Sequence, residues 1–424
     1  MARRLKDLKS VFAQWSSRVF SVELETGAPV YFGLQENRGG KAPLGFSELQ
    51  QGHGKCYSLL VCSSDRIGRE KFYWELKDKL LSDLPPGSDL TNMLSFLPDV
   101  KNSLIRGYFL KGNSDDSSLI ERVLGHFEQH DPVLVCSYSE GEDNQQWTQH
   151  VWTNTESNLM GMTKEFYVVP TAAPTYHPST LNMINSDVFY SLDEACDVLK
   201  KCGDIIPETT SVLRMLPSRA NAGGKPDFPV VVIEGLDATG KTTLTESLRD
   251  TLGATLLRSP PQCLSPWRAR FDQEPPLIRR AFYALGNYIT AAQICQEGMK
   301  APIIVDRFWH STAAYAIATA VSGPVTDLPQ DGSEVYRWPS DLLQPSLVVL
   351  LTLDPEERKR RLRDRGQTKT DEEQELDRNQ LFRLRVEDAY RRISGPACVT
   401  VDASPSADLV LQQVLLLIRA KCHL

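Results

Sequence analysis

The stretch Gly235-Leu236-Asp237-Ala238-Thr239-Gly240-Lys241-Thr242 decides how the chain is read. It fits the pattern G-x-x-x-x-G-K-[ST] without slack. The run before it, Pro229 to Glu234, has the apolar character of a short buried β-strand, and Thr243 to Leu248 has a helical pattern. A strand, a glycine-rich loop and a helix in that order form a cradle for phosphate. The glycines let backbone N–H groups turn inward, and the helix N-terminus adds its positive dipole end. All eight residues, Gly235, Leu236, Asp237, Ala238, Thr239, Gly240, Lys241 and Thr242, are therefore expected to hold ATP. Lys241 is expected on the β- and γ-phosphates, and the Thr242 hydroxyl on Mg²⁺.

Working outward, the 424 residues suggest two or three domains. A net charge of −7 argues against a general nucleic-acid binder. The nine cysteines form no C-x-x-C, which suits reduced thiols in an intracellular protein. No apolar run reaches the length of a membrane span. Residues 1–22 carry Arg3, Arg4, Lys6, Lys9 and Arg18, with Asp7 as the single acid. Leu5, Leu8, Phe12, Trp15 and Val19 recur at helical spacing. This pattern predicts a mitochondrial transit segment; the alternative is the first helix of a cytoplasmic domain.

A Pro- and Gly-rich stretch over residues 216–228 reads as a linker between an N-terminal domain, 23–215, and a P-loop domain, 229–424. Downstream, short apolar strands are expected at Val230–Glu234, Ala254–Arg258, Pro302–Val305, Leu347–Leu353 and Cys398–Val401, with helices between them. That alternation predicts an α/β fold, a parallel sheet flanked by helices. Upstream, strands are expected at Arg18–Leu24, Cys56–Cys62, Pro132–Tyr138 and Glu165–Val169. Helices are expected at Ile67–Leu81, Leu119–Gln129 and Leu192–Cys202. This half reads as a mixed α/β or α+β module without a chemical constellation. Trp147, His150 and Trp152 there read as packing residues rather than a base-stacking site.

Two further features narrow the chemistry. Ile303-Ile304-Val305-Asp306-Arg307-Phe308 places an Asp-Arg pair at the carboxyl end of a strand, where open α/β sheets bind ligands. Arg307 suits a bidentate clamp on the phosphate of a second substrate, and Asp306 either orients metal-bound water or holds Arg307. Pro355 to Gly366 is a helix whose end is loaded with arginines, Arg361 and Arg365 among them. It reads either as a solvated basic face or as a lid that brings charge onto a triphosphate. No N-K-x-D guanine signature follows the P-loop.

Taken together, the G-x-D-x-x-G-K-T loop, the D-R-F turn, the R-x-x-x-R-G lid and the closing Val401-Asp402-Ala403-Ser404 resemble the thymidylate kinase family over about residues 228–424. The resemblance implies transfer of the γ-phosphoryl group of ATP, with Mg²⁺, to a nucleoside monophosphate, and a homodimer. It implies Lys241, Asp306, Arg307, Arg361 and Arg365 as catalytic residues, with Thr242 and Asp306 on the metal. It implies Asp237, Arg268, Tyr283, Asn287, Arg307 and Tyr315 on the acceptor. Ala238 stands where some members carry an arginine, so the lid is left to supply transition-state charge. Asn287 stands where thymidylate kinases carry an arginine. An amide both donates and accepts, which favours UMP and CMP, with dUMP and dCMP, over strict dTMP. For members with an extra N-terminal region the resemblance also implies nucleotide salvage and an antiviral connection. The competing readings are a dTMP kinase, a deoxynucleoside kinase, and a nucleotide-gated scaffold acting through the N-terminal half.

Overall fold

The computed structural model describes residues 10–24, 28–37, 42, 43, 46, 49, 55–130, 132–141, 146–152, 164–216, 225–364, 374, 376 and 378–422. The chain separates into two compact units, Met1–Asn182 and Met183–Leu424.

The first unit is a closed antiparallel barrel. Its strands are β1 (Val19–Val22), β2 (Val30–Gln35), β3 (Lys55–Val61), β4 (Asp89–Phe96), β5 (Ile105–Gly112), β6 (Val133–Glu140), β7 (Trp147–Val151) and β8 (Lys164–Pro170). They run in the order β1-β2-β8-β7-β6-β3-β5-β4, and β4 pairs back onto β1. Closure removes the free edges that an open sheet would expose. Helices α1 (Arg66–Asp83) and α2 (Ser117–His130) pack on the outside. Strand β3 shows why its sequence is almost continuously apolar. Cys56 and Leu60 join the cluster inside the barrel, while Tyr57, Leu59 and Val61 join Leu76, Leu80, Ile120 and Leu124 under the helices. The interior is filled rather than hollow. Phe20, Phe32, Phe46, Tyr138 and Trp147 meet ring to ring. A short polar chain threads it: Trp15 Nε1 donates to Gln149 (2.8 Å), Gln149 donates to the Tyr138 hydroxyl (2.8 Å), and that hydroxyl meets Ser58 Oγ (3.0 Å).

Four of these strands, β2, β4, β5 and β7, are absent from the sequence reading. Their faces carry polar residues that the barrel satisfies internally, such as Ser95, which receives the buried Arg18 side chain. Gly107 also interrupts β5. The expected transit segment over 1–22 overlaps the first strand of the barrel. Residues 1–9 lie outside the described residues, but Trp15 is 1% exposed and Val19–Val22 is a barrel strand. Trp147 is likewise core, and the Trp152 indole donates to Ser137 Oγ at 3.1 Å.

The second unit holds α3 (Leu192–Lys201), α4 (Glu208–Arg214), β9 (Val230–Gly235), α5 (Lys241–Leu252), β10 (Thr255–Arg258), α6 (Ser265–Asp272), α7 (Pro276–Glu297), β11 (Ile303–Asp306), α8 (Trp309–Ala320), β12 (Leu347–Thr352), α9 (Pro355–Asp364), α10 (Gln380–Arg392), β13 (Val399–Asp402) and α11 (Ala407–Cys422). The five strands form one parallel sheet in the order β10-β11-β9-β12-β13. All five expected strands are present, shifted by a residue or so at their ends. The central strand is buried on both faces, as parallel sheets require. Val230 and Val232 pack with α7, α8 and α10, and Val231 and Ile233 with α5 and α11. Residues 183–215, read from sequence as the end of the N-terminal domain, lie in this second unit, because Met183 and Val188 are part of its main core.

One barrel position tests the packing directly. A Cβ on Gly107 would lie 1.9 Å from the Leu59 carbonyl oxygen of the neighbouring strand. Gly107→Ala is expected to destabilise the barrel by about 1–3 kcal/mol. Urea unfolding followed by tryptophan fluorescence reads this, and an unchanged midpoint would contradict the close approach.

Candidate active site

Strand β9 delivers the phosphate loop at the carboxyl edge of the sheet. Gly235 adopts φ 142°, and a Cβ there would sit 2.6 Å from the Leu351 carbonyl oxygen of β12, so the crossing admits only glycine. Within the loop, the Leu236 carbonyl accepts from Thr239 Oγ1 and from Lys241 Nζ, both at 2.8 Å. Lys241 opens α5 and is 7% exposed. Burial, reinforced by Arg307, pulls its ammonium down to about 8, although Asp237, Asp306 and Glu234 oppose the shift. Thr242 follows it and is exposed.

Because β11 lies beside β9 with Asp306 opposite Ile233, the Asp-Arg turn emerges next to this loop. Arg307 takes a left-handed conformation, φ 64°, and its N–H donates to the Ile233 carbonyl at 3.1 Å. Its guanidinium donates to Asp237 Oδ1 at 2.7 Å and to Ser311 Oγ at 3.2 Å. Lys241 Nζ stands 3.6 Å from the same Asp237 oxygen. The structure thus brings Lys241, Asp237 and Arg307 together, with the two cations flanking one carboxylate. Asp306 is largely buried and lies 3.8 Å from Arg258 Nε.

Sequence reasoning passed over Glu234, the last residue of β9 before the loop glycine. It is fully buried. Its carboxylate accepts from the Phe308 and Ser311 backbone N–H groups at 2.8 and 3.3 Å, from the Ser311 hydroxyl, and from the Tyr390 hydroxyl at 3.3 Å. Phe308 is the N-cap of α8, so these are orphan donors of a helix N-terminus, which favours a negative charge there. Burial pushes the Glu234 carboxyl upward, against the pull of Ser311 and Arg307. A lone acid ending an otherwise apolar buried strand was the available signal.

The remaining expected residues are distributed as follows. Tyr283 and Asn287 lie on α7. The Tyr283 hydroxyl donates to Asp272 at 2.7 Å and accepts from Arg268 Nε at 3.1 Å. Asn287 is 1% exposed; its carbonyl accepts from Ser259 Oγ at 2.7 Å and its amide donates to Thr312 at 3.0 Å. Tyr315 lies on α8 with its ring edge-on to Phe382 of α10, 6.4 Å between centroids. Arg361 is turned onto its own surroundings. It pairs with Glu357 at 2.9 Å and donates to the carbonyls of Ala403 at 3.0 Å and Ser404 at 3.4 Å. Arg365 lies outside the described residues.

Two outcomes follow from these contacts. The Lys241 ammonium of the free protein loses its proton, and its charge, as pH rises past about 8. The kcat/KM for ATP is therefore expected to fall above that pH, while kcat at saturating ATP, with the triphosphate holding the proton on, keeps no such limb. A kcat/KM that stays flat to pH 9.5 would sink the assignment. Glu234→Gln removes the charge that receives the α8 N-terminus, so steady-state kinetics should show kcat/KM falling by about tenfold to about a hundredfold. Unchanged constants would show that the Arg307 turn stands without it.

The chain is similar to several known proteins. The thymidylate kinase family model matches residues 233–414. The human protein "UMP-CMP kinase 2, mitochondrial" is 46% identical over 318 residues, covering 74% of this chain and 70% of that protein. A thymidylate kinase of Xanthomonas oryzae pv. oryzae is 29% identical over 203 residues, covering 45% of this chain and 82% of that one. Among solved structures, the thymidylate kinase of Candida albicans shows 22% identity and a TM-score of 0.35, covering 46% of this chain and 92% of that chain. With its P-loop, its Asp-Arg turn on the neighbouring strand and a human relative aligned along most of its length, this chain belongs to the thymidylate kinase family of ATP-dependent nucleoside monophosphate kinases.

Proposed function

We propose that this chain transfers the γ-phosphoryl group of ATP to pyrimidine nucleoside monophosphates, UMP and CMP with dUMP and dCMP, giving ADP and the nucleoside diphosphate. The observation that carries the reading is the Arg307 guanidinium, held between Asp237 of the phosphate loop and Ser311. An acceptor phosphate oxygen is already anionic near neutral pH, since its second pKa is about 6. The reaction therefore needs alignment and charge neutralisation rather than a strong base. Arg307 exchanges Asp237 for the acceptor phosphate, and Lys241 leaves the Leu236 carbonyl for the donor phosphates. Arg361 and Arg365 add charge when the lid closes, which requires Arg361 to leave the Ala403 and Ser404 carbonyls.

The hydroxyl of Thr242 and the carboxylate of Asp306 are hard oxygen donors of the kind that Mg²⁺ takes alongside substrate phosphates and water. Among the described residues no group of three His, Cys, Asp or Glu stands together to hold a metal ion. When bound, that cation neutralises charge across the β- and γ-phosphates.

Beyond its two bonds, the Asn287 side chain retains one N–H and one carbonyl lone pair, enough to meet either a uracil carbonyl or a cytosine amino group. The name of the human relative supports the same acceptors and a mitochondrial address. That address would be carried by the basic residues upstream of Trp15.

A panel of UMP, CMP, dUMP, dCMP, dTMP, uridine and deoxycytidine, assayed on the full chain by ADP release, tests the proposal. UMP and CMP are expected to exceed dTMP, with no turnover of the nucleosides. Turnover confined to nucleosides overturns the reading in favour of a deoxynucleoside kinase. A preference for dTMP overturns the acceptor assignment.

A further inference from the structure

Residues 183–202 lie upstream of the stretch matched by the family model, yet they are built into the second unit. A tight turn opens the segment. Asn185 adopts φ 59°, its N–H donates to the Val188 carbonyl at 2.7 Å, and the Asp187 N–H donates to the Met183 carbonyl at 2.9 Å. The turn presents Asp187 to Arg280 of α7. Arg280 is 7% exposed and its other arm reaches the Ala316 carbonyl of α8 at 3.4 Å. The chain then crosses α8, where the Trp309 indole donates to the Phe189 carbonyl at 3.4 Å, and the Tyr190 hydroxyl donates to the Val335 carbonyl. At the start of α3, the Leu192 N–H donates to Asp341 at 2.9 Å. The other oxygen of that carboxylate accepts from the Tyr288 hydroxyl of α7 at 2.5 Å.

The segment therefore holds α7 directly at Arg280 and, through the shared Asp341 carboxylate, at Tyr288. They are separated by about 12 Å of helix at 1.5 Å per residue. Tyr283 and Asn287 lie between them. Arg280 and Asn287 are two turns apart on one face, and both reach α8.

We propose that Asp187 is a positioning residue for the acceptor nucleotide. By neutralising Arg280 it fixes the rotation and height of the α7 stretch that carries Tyr283 and Asn287. The segment from Met183 to Lys201 then serves as a strap that belongs to the phosphoryl-acceptor machinery. This rests on the reading above that Tyr283 and Asn287 face the acceptor base. A buried guanidinium stripped of its carboxylate must move toward water or find another partner, and either response displaces the helix.

The test is steady-state kinetics on the full chain, with the monophosphate that the wild type turns over best. Asp187→Asn keeps the shape and removes the charge. The expected result is a KM for the monophosphate raised by about tenfold to about a hundredfold, the scale on which ångström displacements act, with the KM for ATP unchanged. Asp187→Glu should restore most of the loss. If Asp187→Asn yields no soluble protein, Arg280→Lys reads the same contact from the other side, with the same rise expected. An unchanged monophosphate KM, even with a lower melting temperature, overturns the proposal. So does an equal rise in both KM values. A wild-type chain that phosphorylates no monophosphate overturns the functional reading and this one with it. A wild-type chain that does so beside an unchanged Asp187→Asn overturns this one alone.

Discussion

One buried carboxylate organises the catalytic edge of the sheet. Glu234 ends the central strand, and α8 begins against it, with the Phe308 and Ser311 N–H groups pointed at its oxygens. A carboxylate with no exposed surface is costly unless donors surround it. Here the donors are a helix N-terminus and two hydroxyls, so strand and helix meet at one relative position. Arg307 lies in the single turn between β11 and α8, and that turn has no freedom left. Its left-handed backbone is the conformation that lets the guanidinium face back across the sheet to Asp237. The site is thus a consequence of strand order. With β11 next to β9, the two loops leaving the carboxyl edge are neighbours, and one acid at their root sets both.

The legibility of the chain follows from what each half buries. The second unit is readable because its inner strands are covered on both faces and appear as uninterrupted runs such as Val230-Val231-Val232-Ile233. The glycine pattern marked the loop, and Asp306-Arg307 marked the second one. Glu234 escaped because a lone acid beside a glycine-rich motif looks like part of the motif. The barrel was only half readable. A strand like β3, apolar on both faces, stands out, whereas β4 begins with Asp89-Leu90-Thr91-Asn92 and hides its buried half at the other end. The interior bonds of Trp15, Gln149, Tyr138 and Ser58 place polar residues inward, which breaks the alternation that marks a strand. The linker at 216–228 was visible from composition, but composition does not say that helix α3, before it, packs with the unit after it.

The two units also differ in where they keep polar groups. In the barrel interior the Ser58 and Tyr138 hydroxyls, the Gln149 amide and the Trp15 indole satisfy one another without charge, and the buried Arg18 guanidinium is received by Ser95 rather than by an acid. In the second unit several of the buried or half-buried polar groups are charged and stand in opposed sets: Glu234 with a helix terminus, Lys241 and Arg307 with Asp237, and Arg280 with Asp187. A fold that binds two polyanions must hold cations in place before the anions arrive, and internal carboxylates keep those cations from repelling one another. Burial depresses the Lys241 ammonium most, and the neighbouring Arg307 adds to that shift.

The closed ring of strands bears on how the start of the chain can be trimmed. Strand β1 is hydrogen-bonded on both sides, to β2 and to β4, and Trp15 plugs the interior just ahead of it. A peptidase cut that removed Val19–Val22 would open a seam with two bare rows of N–H and C=O groups, and an unsealed sheet edge templates association with other chains. Any trimming at the start of the chain would have a geometric limit: the ring keeps all its strands only if the cut falls ahead of Val19, and keeps its interior indole only if it falls ahead of Trp15.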